Sequence, residues 1–302
     1  MNMTTRRSIE RNAAFVLGGW RLFTALLAVV VVGTGMTPVK VWREDPDGKN
    51  LVAVTNAAPR AAAGAFRIMS YNIRFGKGMD DVTDYRRSAA RILSESPDFV
   101  CVQEIWNGRQ FKELAGYLGM HGAFANSGGF LGNAVFSRER PLKCEAVELP
   151  YSKKYRRTLV ICEYRDFVVA SMHLDLEEKK RLESVQVVRD AIARYSKPVF
   201  IAGDWNNWPN TPVLKGLKTF VNVISPQKNI HTWHMRTMNR RECIIDYIAV
   251  DKAHAGDFSV LRSYEIPDRF TSDHSPIAVD VMPHTDMPHT SSDGIQNKAN
   301  GF

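Results

Sequence analysis

The residues that could do chemistry in this chain share one placement. Asn72, Glu104, His173, Asp204, Asn206, Asp246, Asp273 and His274 each follow or end an apolar, strand-like run. A lone Asn or Asp at a strand end is ordinary turn chemistry. Carboxylates, histidines and amides repeated at strand ends mean more. Strands converging on one rim surround a single cleft with polar groups while their apolar side chains fill the sheets. Carboxylate oxygens suit a hard divalent cation that keeps waters and accepts substrate oxygens. A carboxylate behind an imidazole fixes its tautomer and raises its basicity. Metal-assisted hydrolysis needs an activated water, stabilised negative charge and help for the leaving group. This set of residue types could meet all of those needs.

Strands and helices must hold these groups. FRIMSYNI, residues 66–73, alternates in apolar character as a strand does. DFVCVQE reads as a buried strand, followed by NAVFSR, TLVICEY and FVVASMHL, and then by PVFIAGDWN, CIIDYIAV and SPIAVDV. Asp84 is placed to cap a helix carrying Tyr85, Ala89, Ile92 and Leu93, which Pro97 ends. Glu177 to Tyr195 spaces Leu182, Val185, Val188 and Ile192 along one helical face. On an extended strand end, Asp204 and Asn206 would point to the same side. These elements give one domain over residues 66–282, and a polar tail over 283–302. The MPHTD and MPHTS repeats there carry His284 and His289, which could bind a metal, but the composition reads as disordered.

A chain of 302 residues accommodates one large domain plus tails. Its 44% apolar and 24% charged content is ordinary for a folded protein. None of Cys101, Cys144, Cys162 and Cys243 forms a CxxC pair, which argues against a zinc ribbon or a dithiol redox motif. Cys101 and Cys162 sit in apolar runs and read as buried thiols. The formal charge of +8 favours anionic partners: nucleic acid, phosphorylated metabolites or lipid headgroups. Residues 1–21 are basic, with Arg6, Arg7, Arg11 and Arg21. Residues 22–39 carry no charge and are about long enough to span a bilayer, and residues 40–65 read as a linker. The charge bias predicts that the chain after residue 39 lies outside the cytoplasm. An uncleaved membrane anchor and an export signal cut near Gly33-Thr34-Gly35 both fit. The expected location is therefore membrane-anchored with an exocytoplasmic domain, or exported.

In chain order, MSYNIRFG, VQEIW, GNAVFSRERP, SMHLD, AGDWNNWP, the Thr232-Trp233 pair, IDYIAV and SDHSP are all present. Together they resemble the endonuclease/exonuclease/phosphatase superfamily, across roughly residues 66 to 282. The resemblance implies a DNase I-like α/β (α+β) fold, a four-layer α/β/β/α sandwich, here preceded by one N-terminal hydrophobic helix. It implies Glu104 as the principal metal ligand, with Asn72 and Asp273 beside the metal and Mg2+, or Mn2+ in its place, as the cofactor. His274 is implied as base or phosphate contact, with Asp246 orienting it. Asp204 would position the attacking water and Asn206 would donate to a phosphoryl oxygen. His173 would stabilise developing charge if protonated, or protonate the leaving group. Trp205 departs from the commoner Phe or Leu of the motif, and repacking is the expected consequence.

YSKKYRRT, residues 151–158, mixes four cations with two tyrosines and reads as a turn between strands. By the resemblance, Arg157 is its phosphate contact. Arg236, Arg240 and Arg241 form another basic loop. Such loops can track a nucleic-acid backbone or face anionic lipid. The implied activity is metal-dependent hydrolysis of phosphodiesters, nuclease-like. A phosphomonoesterase or phospholipase acting on headgroups or small metabolites is the alternative, and an inactive binding module comes last because every expected catalytic residue is present.

Overall fold

The computed structural model describes residues 39–42, 58–59, 61–126, 131–152, 155–234 and 243–284. In chain order the elements are β1 (Val39–Trp42), β2 (Phe66–Asn72), α1 (Tyr85–Ser94), β3 (Phe99–Ile105), α2 (Gly108–Leu118), β4 (His121–Ala125) and β5 (Gly132–Ser137). There follow β6 (Lys143–Leu149), β7 (Arg157–Glu163), β8 (Val168–His173), α3 (Glu178–Ile192), β9 (Val199–Asp204) and α4 (Pro212–Leu217). The last are β10 (Val221–Val223), β11 (Asp246–Asp251), β12 (Phe258–Glu265) and β13 (Ile277–Pro283). A seven-stranded sheet runs β1-β4-β5-β3-β2-β13-β12, and a six-stranded sheet runs β10-β11-β9-β8-β7-β6.

The two sheets pack face to face, with α1 and α2 on the outside of the first and α3 and α4 on the outside of the second. This is the four-layer sandwich expected from the sequence. Alternation along each strand assigns the faces. In β2, Met69 and Tyr71 join the cluster under α1 and α2, while Ile68 turns to the inter-sheet core. That core is aromatic at one end. Phe66 stacks on Phe167 at 4.7 Å and meets Phe200 edge-on at 5.7 Å. Apolar contacts therefore fill one end of the space between the sheets, and polar strand ends meet at the other.

The helices start where their capping chemistry says. Asp84 accepts from the Arg86 N–H at the start of α1, as its type and position predict, and Asn107 accepts from Arg109 and Gln110 at the start of α2. Gly119, left-handed at φ 60°, ends α2. Helix α3 is shorter than the Glu177 to Tyr195 stretch, and Leu182 is exposed instead of joining Val188 and Ile192 in the core. The stretch read as a linker opens with β1, which pairs antiparallel with β4 at the sheet edge. Cys101 and Cys162 are buried as expected. Cys144 faces Cys162 across β6 and β7, with the two free sulfurs 3.1 Å apart. No helix among the described residues is long and apolar enough to cross a membrane, and residues 22–38 and 285–302 lie outside them.

Candidate active site

Strand alternation places most of the site. In β9, Phe200 reaches Phe66 in the opposite sheet, so Ala202 and Asp204 face inward with it. Asp246 opens β11 directly opposite Asp204 and shares its face. His173 ends β8 in register with Asp204, and Arg157 opens β7 beside it. Asn72, the last residue of β2, faces them from the other sheet. The inner faces of both sheets thus converge at one open end.

Glu104 reaches this end by breaking the alternation. In β3, Cys101 and Gln103 face inward, bonding to Ala170 O and Ser171 Oγ of the other sheet. Val100 and Val102 pack under the helices, so Glu104 should follow them outward. Instead its φ is +61°, and the pairing of β3 with β5 shifts register between Val102 and Ile105. The bulge turns the carboxylate inward. A left-handed non-glycine backbone costs on the order of 1–3 kcal/mol and persists where the surroundings hold it.

Asn72 is fully buried, and its Nδ2 donates to Glu104 Oε1 at 3.1 Å and to Asp204 Oδ2 at 3.0 Å. Its Oδ1 accepts from the Arg74 N–H at 3.1 Å. The amide therefore fixes two carboxylates from different sheets. His274 Nδ1 lies 2.9 Å from Asp246 Oδ2, and its Nε2 lies 3.7 Å from Asp204 Oδ2. Burial opposes charge on His274, but the charge and hydrogen bond of Asp246, with Asp204 and Asp273, raise it to about 10. Burial and the neighbouring Asp246 push Asp204 up to about 7. Glu104 is raised too, by burial and by Asp273. Asp273 is partly exposed beside His274, with Arg74 Nε at 3.9 Å.

Three expectations need correction. Arg157 lies at the start of a strand, not in a turn, and is almost wholly buried. Its Nη1 lies 2.9 Å from His173 Nε2, and its Nε lies 3.6 Å from Asp175 Oδ2. Second, His173 is held neutral: burial, Arg157 and His274 all push it well below the usual histidine range. An imidazole accepting from Arg157 at Nε2 keeps its proton on Nδ1. In this arrangement Arg157 carries the positive charge and His173 helps aim it. Third, β9 ends at Asp204, so Asn206 does not continue an extended strand. At φ +46° it is left-handed, its N–H donates to Asp204 Oδ1 at 2.8 Å, and its Nδ2 donates to Leu174 O at 2.9 Å.

Four residues inside the matching motifs support the site in ways their types and spacing do not reveal. Asp175, in SMHLD, accepts from the Ser152 N–H and hydroxyl and holds Arg157. Ser272, in SDHSP, donates to Asn72 O at 2.8 Å and accepts from the His274 N–H at 3.2 Å. The buried Thr232 hydroxyl accepts from the Ile245 and Asp246 N–H groups, while its carbonyl accepts from Ser275. Gly203 precedes Asp204 with φ +154°, and a Cβ there would fall 1.8 Å from Met172 O. A strand neighbour that close admits only glycine. Trp205 is buried against Tyr247, at 4.9 Å between rings, so the larger side chain is absorbed behind the site.

The donors fit a hard divalent cation. Asp204, Asp246 and His274 each offer a ligand atom, all within 4.8 Å of one another. Asp246 Oδ1 is buried without a hydrogen-bond partner. Burial, and then neighbouring carboxylates, raise Glu104 and Asp204, and a cation would relieve both effects. His274 shares its Nδ1 with Asp246, so the oxygens of Glu104, Asp204 and Asp273 are the better ligands for a magnesium-like ion.

A two-sheet sandwich whose open end gathers carboxylates, a carboxylate-backed imidazole and a buried arginine defines a class of phosphoester-hydrolase scaffold. The model of the endonuclease/exonuclease/phosphatase family matches residues 69–274, and the chain belongs to that family. Solved structures share the fold. The endonuclease/exonuclease/phosphatase of Bacteroides vulgatus is similar at 19% identity and a TM-score of 0.62, over 73% of this chain and 99% of that one. The mannosyl-6-phosphatase of Bacteroides thetaiotaomicron VPI-5482 is similar at 17% identity and a TM-score of 0.60, over 72% and 99%. D. rerio TDP2, solved with a single-strand DNA product, is similar at 19% identity and a TM-score of 0.59, over 72% and 98%. No curated protein matches the chain in sequence.

Proposed function

We propose that the protein is a divalent-metal-dependent phosphodiesterase. The observation that carries this reading is the meeting of Glu104, Asp204 and the Asp246–His274 pair around the Asn72 amide, with Arg157 buried alongside. Glu104 and Asp273, with Asp204, would hold the cation, which supplies Lewis-acid stabilisation of phosphoryl charge. Asp204, held by the Asn72 amide and the Asn206 N–H beside the cation, is placed to orient the attacking water and accept its proton. His274, kept protonated by Asp246, would donate from Nε2 to a phosphoryl oxygen. Arg157, backed by Asp175 and His173, offers a second fixed charge to the same group. These two cations beside so many carboxylates suit a diester, which carries one negative charge, better than a monoester carrying two.

The likeness to a mannosyl-6-phosphatase supports the monoesterase alternative, and the likeness to TDP2 with a DNA product supports a nuclease-like one. Full-length protein in detergent, with Mg2+ or Mn2+ and with EDTA, separates them. EDTA-sensitive cleavage of bis(p-nitrophenyl) phosphate is the expected result, and nicking of supercoiled plasmid would assign nucleic acid. Release from p-nitrophenyl phosphate alone would overturn the diesterase reading in favour of the phosphatase.

A further inference from the structure

The chain enters the domain at the end of the sheet that carries the site. Val39, first residue of β1, pairs with Ala125 at the end of β4, and Ala125 pairs with Asn133 of β5. The neighbouring Gly132 pairs with Ile105, the residue after Glu104 in β3. Val39, Ala125, Gly132 and Ile105 therefore mark one end of the sheet. Three strand spacings, about 14 Å, separate Val39 from β3 there. The charge-free run of residues 22–39 thus finishes at the mouth of the site.

The same mouth exposes large apolar side chains. Trp106 lies two residues past Glu104, Leu176 three past His173, Trp208 two past Asn206, and Phe270 three before Asp273. They are 43%, 73%, 47% and 54% exposed. Val82, 48% exposed, joins them from the turn whose Met79 N–H bonds to Phe270 O. The remaining large exposed apolar residues among those described lie elsewhere, such as Leu142 beyond β5 and Val260 and Leu261 on the edge strand β12. Exposed arginines flank the aromatics: Arg109 near Trp106, and Arg269 next to Phe270. Aromatic side chains with adjacent cations match the headgroup depth of a bilayer.

We propose that the mouth of the site docks on a lipid bilayer, with Trp106, Leu176, Trp208 and Phe270 at headgroup depth, and that the substrate is a phosphodiester of a membrane lipid. An anchor leaving the domain at this end would hold the opening toward the surface it is tethered to. The apolar rim gains by leaving water, at roughly 25 cal/mol per Å2. Substrate choice rests on the diesterase reading, whereas the orientation of the domain does not.

The test uses full-length protein reconstituted in phosphatidylcholine/phosphatidylglycerol vesicles doped with lipids brominated near the headgroup. Wild type is compared with Trp106→Phe/Trp208→Phe, which removes two reporters and keeps apolar rings. If the rim is seated in lipid, the variant loses its strongly quenched emission and fractional quenching falls. If the rim faces water, the variant loses unquenched emission and fractional quenching rises, which overturns the proposal. Failure to associate with the vesicles, or rim emission that responds to an oligonucleotide but not to brominated lipid, overturns it as well. Circular dichroism confirms that the variant is folded. Turnover of soluble bis(p-nitrophenyl) phosphate is read in the same samples. Quenching without any turnover would remove the diesterase reading and leave the orientation standing; turnover without rim quenching would do the reverse.

Discussion

The side-chain amide of Asn72, in one sheet, donates to the Asp204 carboxylate in the other at 3.0 Å, although they lie 132 positions apart in the chain. The same nitrogen holds Glu104 at 3.1 Å. One buried amide thus sets the spacing between Glu104, the proposed principal metal ligand, and Asp204, the proposed partner of the attacking water.

Replacing Asn72 by alanine should leave both carboxylates without their shared donor. Buried groups that lose a partner cost about 1–3 kcal/mol, so the variant should unfold at lower urea. Diester turnover should fall by on the order of 100-fold, because mutual geometry is lost along with the bond. A variant with wild-type kcat and reduced stability alone would show that the amide is merely structural.

Glu104→Ala and His274→Ala should each abolish hydrolysis of a soluble diester while leaving the circular dichroism unchanged. Glu104 is only partly buried, and when it is lost the Asn72 amide keeps its bond to Asp204, so the fold should survive. Asp246→Asn should be nearly as damaging as His274→Ala, since the carboxylate both orients the imidazole and keeps it charged. Near-normal turnover in Glu104→Ala or His274→Ala would sink the assigned roles.

Much of this was legible in the sequence, and for a physical reason. A strand buried on both faces is mainly apolar, and a polar residue inside it needs a buried partner, so polar residues gather at its ends. Asn72, His173, Asp204 and Asp246 stand out for that reason, and their convergence follows from stacking two sheets. Glu104 was legible only by type and motif, because strict alternation in β3 points it toward the helices; a bulge corrects it, and bulges leave little trace in sequence. Arg157 was misplaced because a cluster of cations resembles a turn, whereas Asp175 and His173 together allow one cation to be buried. Asp175, Ser272 and Thr232 act through hydrogen bonds to residues distant in sequence, which no local pattern records. Helices α2 and α4 leave a weaker trace because their capping residues, Asn107 and Thr211, sit among other turn-forming residues, and α4 has only six residues.

Asp175 gives a prediction in pH. Burial works against its charge, but hydrogen bonds from Glu177, from the Ser152 N–H and hydroxyl, and the charge of Arg157 together hold the carboxyl below its ordinary value. A group depressed in the folded state stabilises the fold above its unfolded pKa, about 3.9, and that contribution is lost as pH falls through the lower folded value. Asp175→Asn should therefore be less stable than wild type at pH 7, by about 1–3 kcal/mol. The gap should narrow below about pH 4. Urea melts at several pH values test this. A constant gap from pH 7 to pH 2 would rule out the ionised carboxylate as its source. The variant should also raise KM more than it lowers kcat, since it frees Arg157 to wander.

Gly203 ties the fold to the site by sterics alone. A Cβ would overlap Met172 O in the neighbouring parallel strand, and the collision is with backbone, which cannot swing away. Gly203→Ala must push β8 and β9 apart where His173 and Asp204 sit in register. The expected cost is about 3 kcal/mol or more, with loss of turnover even where the variant still folds. Full stability and activity in Gly203→Ala would mean that this strand end is freer than its geometry implies.

Metal binding should appear as stability before it appears as activity. Crowded carboxylates repel one another until a cation joins them, so Mg2+ or Mn2+ should raise the melting temperature of wild type. A ligand at a hundredfold its Kd adds about 2.7 kcal/mol, which for a domain of this size is about 5–10 °C. EDTA should reverse the shift, and Glu104→Gln should lose most of it while remaining folded. His173→Gln serves as the contrast: His173 Nε2 lies 2.9 Å from Arg157 and 3.5 Å from Asp204 but supplies no carboxylate oxygen, so its metal shift should persist although turnover falls. If Glu104→Gln keeps the full shift, the cation is held elsewhere, and the Asp204, Asp246 and His274 cluster becomes the place to look, with Asp246→Asn as the deciding variant.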